Sequence, residues 1–398
     1  MKNNTTKTEV IIIGGGLTGM LMACALAQKQ ISVALIESED LQKLNAKESD
    51  GRTSAISYGS AKILDHVGIW HELLEHAGPI LDIRVTDGES PLFVHYDHKM
   101  VGDEPMGHII ENHYIRKALY EKAVQHKNLT ILDNTRYTLI DYTPYNATVT
   151  LADGKTITSS LVIAADGKNS SVRQSAGIKT TSWAYNQHGV VCTVKHEKSH
   201  HGVAIEKFLP TGPFAILPMH GDHNSSLVWT EKSELAPLFM KMNDAEFQEH
   251  LELRFGGYLG KLEVIGKRFS YPLSLCLAQQ YTSQRLALIG DAAHAIHPIA
   301  GQGFNLGIRD IPPLVSAIYE AKNLGLDIGS SGVLSSYAES RKLDNITMIA
   351  ITDLLTRLFS NNILPIKHAR RLGMGIVNRI PVLKKLLIKH AMGDAGYI

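Results

Sequence analysis

Residues 10–37 constrain this chain more than any other stretch. Val10–Ile13 is an uncharged apolar run with the length of a strand buried on both faces of a parallel sheet. Gly14-x-Gly16-x-x-Gly19 follows, then helical apolar spacing over residues 17–29, then a second apolar run over 32–36 that ends at Glu37. Glycines here permit a tight turn and let backbone approach a pyrophosphate at the helix N-terminus, and the acid after the second strand can accept hydrogen bonds from a ribose. Three spaced glycines alone are a weak pattern. Strand, glycines, helix, strand and acid in register are a strong one, and the acid favours an unphosphorylated ribose, as in FAD or NAD.

A second stretch, residues 285–310, reads RLALIGDAAHAIHPIAGQGFNLGIRD. An apolar strand stops at Gly290-Asp291 and so delivers a carboxylate, and a glycine-rich helix start follows at Gly301-Gln302-Gly303. First-turn amides of a helix have no internal partner and carry the positive end of its dipole. A ligand held here would set a hydroxylated chain near Asp291 and an anion-forming ring near Gly303. Arg52, in the polar run Asp50-Gly51-Arg52-Thr53-Ser54 that leads into a helix over 57–67, stands where a guanidinium would neutralise phosphate or flavin.

Gly290-Asp291, His297-Pro298, Ala300-Gly301-Gln302-Gly303, Asn305-Leu306-Gly307 and Arg309-Asp310 together resemble the ubiquinone-biosynthesis hydroxylases, a branch of the single-component FAD-dependent aromatic monooxygenases. The run Asp166-Gly167-x-x-Ser170-x-x-Arg173 resembles the second fingerprint of the same enzymes, and Tyr337, Arg341 and Asp344 match them again. The resemblance implies that Asp291 binds the ribityl chain of FAD, that Gly301 to Asn305 lie against the pyrimidine edge, and that Pro298, Gly301, Gln302 and Gly303 form the flavin environment. It further implies FAD contacts for Arg52, Arg116 and Asp166. The implied activity consumes NADH or NADPH and O₂, and hydroxylates a polyprenylated phenol through a C4a-hydroperoxyflavin. A monooxygenase of a soluble phenol and a non-catalytic FAD-binding scaffold of a quinone-biosynthesis complex stay open as alternatives. No side-chain acid or base is identifiable.

At 398 residues the chain has room for two domains, and 44% hydrophobic with 20% charged residues describes a folded protein. A net charge of +1 offers no argument for nucleic acid. Cys24, Cys192 and Cys276 are far apart and read as reduced core residues, with no metal spacing. Residues 10–27 imitate a membrane span in length. Three consecutive glycines and the polar segment MKNNTTKTE argue against a span and against a signal peptide, so a cytoplasmic location is expected.

The expected fold is α/β: a Rossmann-like FAD-binding domain (residues 1–75, 103–182 and 275–345), an inserted antiparallel-sheet substrate domain (76–102 and 183–274) and a C-terminal helical segment (346–398). Residues 156–164 are read as one strand. His188, His196, His200 and His201 are read as solvated rather than catalytic. Pro312-Pro313 predicts a break or kink after the helix start, because proline lacks the amide and disfavours helix in the residue before it. Residues 363–392 carry seven lysines and arginines and no acid, a basic amphipathic end suited either to an anionic inner-membrane surface or to capping the FAD domain. Ring position and oligomeric state, homo-oligomer included, are beyond the sequence.

Overall fold

Four apolar strands with every residue buried, Val10–Ile13, Val33–Ile36, Leu161–Ala164 and Leu286–Leu288, can only be stacked side by side under helices. They form the centre of a six-stranded sheet in the order Thr282–Ser283, Leu286–Leu288, Leu161–Ala164, Val10–Ile13, Val33–Ile36, Leu129–Leu132. All neighbours are parallel except the Thr282–Ser283 edge. Helix Leu17–Gln28 is buried all round from Gly19 to Ala27, packed between helices Asn112–Ala123 and Gln302–Asn323. The computed structural model describes residues 5–46, 51–88, 90, 93–296, 301–359, 375, 378 and 380–393.

The expected strand over 156–164 is two strands. Thr156–Ser159 belongs to a four-stranded sheet with Thr5–Lys7, Ala147–Leu151 and Tyr137–Tyr142, and the chain then steps into the six-stranded sheet. The step is shared by its neighbour: Thr8 N–H donates to Thr158 O and Ser160 N–H to Glu9 O, so both chains cross together and keep their backbone groups paired. The buried Arg285 guanidinium fixes the outside of this step, donating to Ser160 O and to both oxygens of Asp327.

A large sheet of eight strands runs in the order His294–Ala295, Leu262–Ala278, Thr180–His196, Asn224–Lys232, Gly212–Pro218, Val203–Leu209, Asp82–Asp87, Phe93–Asp97. Only Val203–Leu209 with Asp82–Asp87 is parallel, which is how the segment near residues 80–100 joins the rest. The strands Thr180–His196 and Leu262–Ala278, each of 17 residues, run through the boundaries drawn at 182/183 and 274/275. One face of the sheet packs Trp229, Phe214, Val190 and Cys192 under helices Ala236–Lys241 and Asp244–Phe255. The other face looks toward a three-stranded sheet of Thr53–Ser57, Gly107–Glu111 and Gly78–Ile80. The polar run at Thr53 is thus a strand that leads directly into helix Tyr58–Val67, with Ser57 as its cap. All three cysteines are free and buried.

Helix Gln302–Asn323 contains Pro312 and Pro313 without interruption, so the expected break is absent. The missing amides leave the carbonyls of Ile308 and Arg309 without their usual helical donors. Burial outweighs that loss: Ile308, Ile311, Leu314 and Ile318 are all in the main core on either side of the prolines. No helix among the described residues is long and apolar enough to cross a membrane. Replacing both prolines, Pro312→Ala with Pro313→Ala, is expected to stabilise the fold by on the order of 1–3 kcal/mol, read as a higher midpoint in urea unfolding; a lower midpoint would mean that the proline rings themselves fill the core.

Candidate functional site

The glycine turn is built by near-contact of backbones. Gly14 has φ of 106°, and a Cβ there would lie 2.4 Å from Ala165 O; one on Gly19 would lie 2.0 Å from Gly14 O. Only glycine lets the helix sit this close to the strand ends. Gly16 differs, because a Cβ there meets nothing within 4 Å. It caps helix Leu17–Gln28 with open space before it, where a pyrophosphate would lie against the helix amides. Glu37 closes over the turn, its Oε2 accepting from Gly15 N–H at 2.6 Å and its Oε1 from Glu39 N–H at 2.8 Å.

Thr18, which carries no motif of its own, is where distant segments meet. A Cβ on Gly290 would lie 3.0 Å from Thr18 Oγ1, and one on Gly307 2.7 Å from the same oxygen. The strand end that delivers Asp291 and the helix that begins at Gln302 are therefore both pressed on the first turn of the glycine-turn helix. Asp291 itself is exposed by accessible surface yet crowded by protein, the situation of a side chain on a cleft floor. That crowding pushes its carboxyl above the usual range, against the opposing pull of His294, Lys168 and Arg52.

The helix start has the geometry that an electron-rich group needs. Gly301 is left-handed, with φ of 62°, and a Cβ there would lie 2.7 Å from Ala55 Cβ. A Cβ on Gly303 would meet nothing within 4 Å, so the first-turn amides border free space. Asn305 is fully buried and joins this helix to the strand behind Arg52: its Nδ2 donates to Ala55 O at 2.6 Å and Gly301 O at 3.2 Å, and its Oδ1 accepts from Ser57 N–H at 3.0 Å. Its side chain is spent on positioning. Arg52 extends from that strand with its guanidinium 5.4 Å from the Tyr271 ring centroid on the large sheet. Pro298, with His297 and Ala300, lies outside the described residues, and Gln302 is described for its backbone alone.

Asp166 and Arg116 stand differently from the rest. Asp166 presses its backbone amide on Gly14, but its carboxylate turns to Val172 N–H at 3.1 Å and Ser171 Oγ at 3.3 Å, leaving Oδ1 buried without a partner. Arg116 donates to Leu44 O at 3.3 Å, beyond the strand that ends in Glu37. Arg173 of the same fingerprint does more than expected: it is buried and donates to Ala292 O at 2.7 Å and Lys168 O at 2.8 Å, tying that loop to the turn at Asp291. The histidine expectation needs correction. His196 and His200 are buried, because backbone carbonyls and a serine satisfy them: His196 contacts Lys198 O and Ser225 Oγ, and His200 accepts from Gly202 N–H and contacts Met219 O. Burial pushes both imidazoles below their ordinary range.

Asp310 holds the whole assembly. Its Oδ2 accepts from Gly290 N–H and meets His294 Nε2, both at 2.8 Å, and its Oδ1 meets Arg341 Nε at 2.8 Å. Arg341 continues to Asp344 and Asn345, while Tyr337 Oη donates to Leu288 O. Burial would raise the Asp310 carboxyl, but His294, Arg341 and the Gly290 amide outweigh it and hold it below the usual carboxylate range. A depressed carboxyl contributes stability above its unfolded value that fades as pH falls through the folded one. Asp310→Asn, which leaves Arg341 short of a charge, is expected to lose about 3–5 kcal/mol at neutral pH, with the gap to wild type narrowing below about pH 4 in denaturant unfolding. A gap that stays constant with pH would remove the charge from the explanation.

Known proteins resemble this chain over nearly its whole length. The FAD binding domain family matches residues 7–347. The ubiquinone hydroxylase UbiL of Rhodospirillum rubrum is 48% identical over 97% of this chain and 89% of its own length. The 3-demethoxyubiquinol 3-hydroxylase of Escherichia coli K12 is 34% identical over 97% of this chain and 98% of its own. Among solved structures, p-nitrophenol 4-monooxygenase PnpA from Pseudomonas putida DLL-E4 superposes with a TM-score of 0.81 over 99% of this chain and 100% of that one, at 20% identity, a likeness of fold. With the glycine turn, the acid after the second strand and the carboxylate at the strand end all in place, the chain belongs to the ubiquinone-biosynthesis hydroxylases, a family of FAD-dependent monooxygenases.

Proposed function

We propose that the protein hydroxylates the ring of a polyprenylated phenol in ubiquinone biosynthesis, using FAD, NADH or NADPH and O₂. The observation that supports this reading is the convergence on the first turn of helix Leu17–Gln28 of Glu37, through Gly15, of Gly290 beside Asp291, and of Gly307 in the helix that begins at Gln302, with open space at Gly16 and Gly303 where a ligand would pass. Gly14, Gly16 and Gly19 would admit the pyrophosphate to backbone amides, Glu37 would accept from the adenosine ribose, and Asp291 would accept from the ribityl hydroxyls. Bound FAD supplies the chemistry, passing electrons from the nicotinamide to O₂ and one oxygen atom to the ring. The protein's part is orientation, charge and exclusion of water: helix amides at Gly301–Gly303 and the Arg52 guanidinium favour negative charge at the ring end of the cofactor. Arg116 and the Asp166 loop would act on the FAD from behind the glycine turn, and Asn305 and Pro298 by shaping the wall at the ring.

The boundaries of an FAD-binding unit and a substrate unit follow the same division of labour, with the large sheet roofing the cleft. A lipid-surface partner is favoured by helix Pro381–Ala391, which exposes Val382, Leu386 and Leu387 beside the exposed Lys385 and Lys389. Co-sedimentation with phosphatidylglycerol vesicles, weakened at least fivefold by Leu386→Glu with Lys389→Glu, is the expected result; equal recovery with neutral vesicles would remove the charge argument.

Two glycine variants separate folding from cofactor binding. Gly16→Val has room for its side chain and is expected to fold normally but purify without the yellow flavin, whereas Gly14→Ala clashes with Ala165 and should not fold at all. For the reaction, purified protein with NADH or NADPH and a prenylated phenol should give a product heavier by one oxygen, checked by mass spectrometry. Turnover restricted to unprenylated phenols, or flavin that nicotinamide cannot reduce, would overturn the substrate and the catalytic reading respectively.

A further inference from the structure

A hydroxylase of a phenol gains rate when the ring oxygen loses its proton to a base, and the large sheet carries a candidate. Strand pairing sets Phe269, Val191, Val228, Ala215, Glu206 and Val85 side by side in one row across six strands. Residues in one such row project to the same face, because side chains alternate along each strand. Phe269 identifies that face: it is the residue that a Cβ on Gly51 would meet, 2.5 Å away, next to Arg52. One residue pair along, Ser226 Oγ lies 3.0 Å from Thr53 Oγ1, on the strand that carries Arg52. Ala204 and Phe208, the neighbours of Glu206 on its own strand and face, pack in apolar clusters on this side, whereas Ile205 packs on the other.

Glu206 is therefore a carboxyl set in an apolar row on the face that looks toward the flavin side. It is half-buried, and among the described residues its carboxyl has no hydrogen-bond or ion-pair partner. A carboxylate in such surroundings without a partner is costly for the fold and marks a candidate for function. Neighbouring strands are about 4.8 Å apart, so Glu206 stands two strands, roughly 10 Å, beyond the strand bearing Ser226.

Resting on the reading above, we propose that Glu206 is the catalytic base that meets the substrate's ring hydroxyl across the cleft from the flavin. The phenol O–H bond breaks and its proton goes to a Glu206 oxygen, while the electron pair stays on the ring oxygen and enriches the ring carbons. One of these carbons bonds the oxygen atom derived from O₂, whose partner atom leaves as water at the expense of NADH or NADPH. The proton on that carbon departs to solvent as aromaticity returns, and Glu206 gives its proton back to the ring oxygen. Burial pushes the Glu206 carboxyl up to about 7, close to an operating pH, which suits this exchange. Other titratable groups on this side are Tyr96 and Asp87 from the adjoining strands, Lys384 from the helix packed below, whose Nζ donates to Asn378, and, around the cavity beside Phe269, Glu111, His76, His220 and Lys267.

The test compares holoenzyme carrying wild type and Glu206→Gln, with 2-geranylphenol as the probe. Expected are a 10²- to 10⁴-fold fall in kcat for ring hydroxylation with KM within threefold, continued NAD(P)H oxidation that now ends in hydrogen peroxide, and loss of the acid limb near pH 7. A fluorinated geranylphenol already ionised at neutral pH should restore the variant to within about tenfold of wild type, which a merely structural role would not allow. A second readout is independent of turnover. Because a carboxyl with a raised folded value costs stability progressively as pH climbs from its unfolded to its folded value, Glu206→Gln should raise Tm at pH 8 and change it little at pH 4. Wild-type coupling and pH profile in Glu206→Gln, or no rescue by the ionised phenol, would overturn the assignment while the hydroxylase reading stands. Wild type that binds no FAD or adds no oxygen would overturn that reading, and Glu206 with it.

Discussion

The Asp310 carboxylate is the constraint on which the cofactor side depends. It is fully buried, so its charge persists only because an imidazole, a guanidinium and a backbone amide surround it. Those partners come from two pieces of chain: Gly290 and His294 flank the turn that carries Asp291, and Arg341 comes from helix Ser331–Phe359. Buried ion pairs of this kind add little net stability against an apolar core, but they penalise every arrangement in which one member is misplaced. The result is positional. Gly290 cannot drift from Asp310, Thr18 is wedged against Gly290 and Gly307, and Asp291 is delivered at one height above the helix that starts at Gln302. Arg173 braces the same turn from the opposite side through Ala292 O.

Most of this was legible before any coordinates. Four apolar residues ahead of glycines, and an acid after a second apolar run, have few physical realisations, and the parallel sheet with its all-buried helix is one of them. The cofactor is met largely by backbone, and the places where backbone must come close are written as glycines. What failed to be legible shares a cause in long-range packing. Residues 156–164 alternate like one strand, and only the paired crossing of Thr8–Glu9 beside them shows that the chain changes sheet at Ser160. Pro312-Pro313 forbids a helix locally, yet Ile308, Ile311, Leu314 and Ile318 hold it against the core. His196 and His200 look like surface histidines until Lys198 O and Ser225 Oγ close on the first and the carbonyls of Met219 and Gly221 on the second. Thr18 is invisible in sequence, since its importance lies in which two glycines touch it.

The substrate side follows the opposite rule. Its wall is a sheet face, and the residues on it are decided by the register of six strands drawn from three parts of the chain. A single-residue slip of any strand would turn its whole set of side chains to the outer face. Glu206 is therefore unreadable from its neighbours: Ile205 and Lys207 give no sign that Glu206 shares a row with Phe269, sixty-three residues later.

This separation has a chemical reason. The flavin end of the cleft gathers helix amides at Gly301–Gly303, Arg52 and Lys168, whose pull opposes the burial that raises the Asp291 carboxyl. A group that must take up and return a proton near neutral pH is better placed away from that pull. It needs an apolar setting, which the sheet row of Val228, Ala215 and Val85 supplies. Placing the two environments on separate elements lets one ring be held between a surface that favours anions and a carboxyl that creates one. Neither surface could do its part if the chain had put both on the same element.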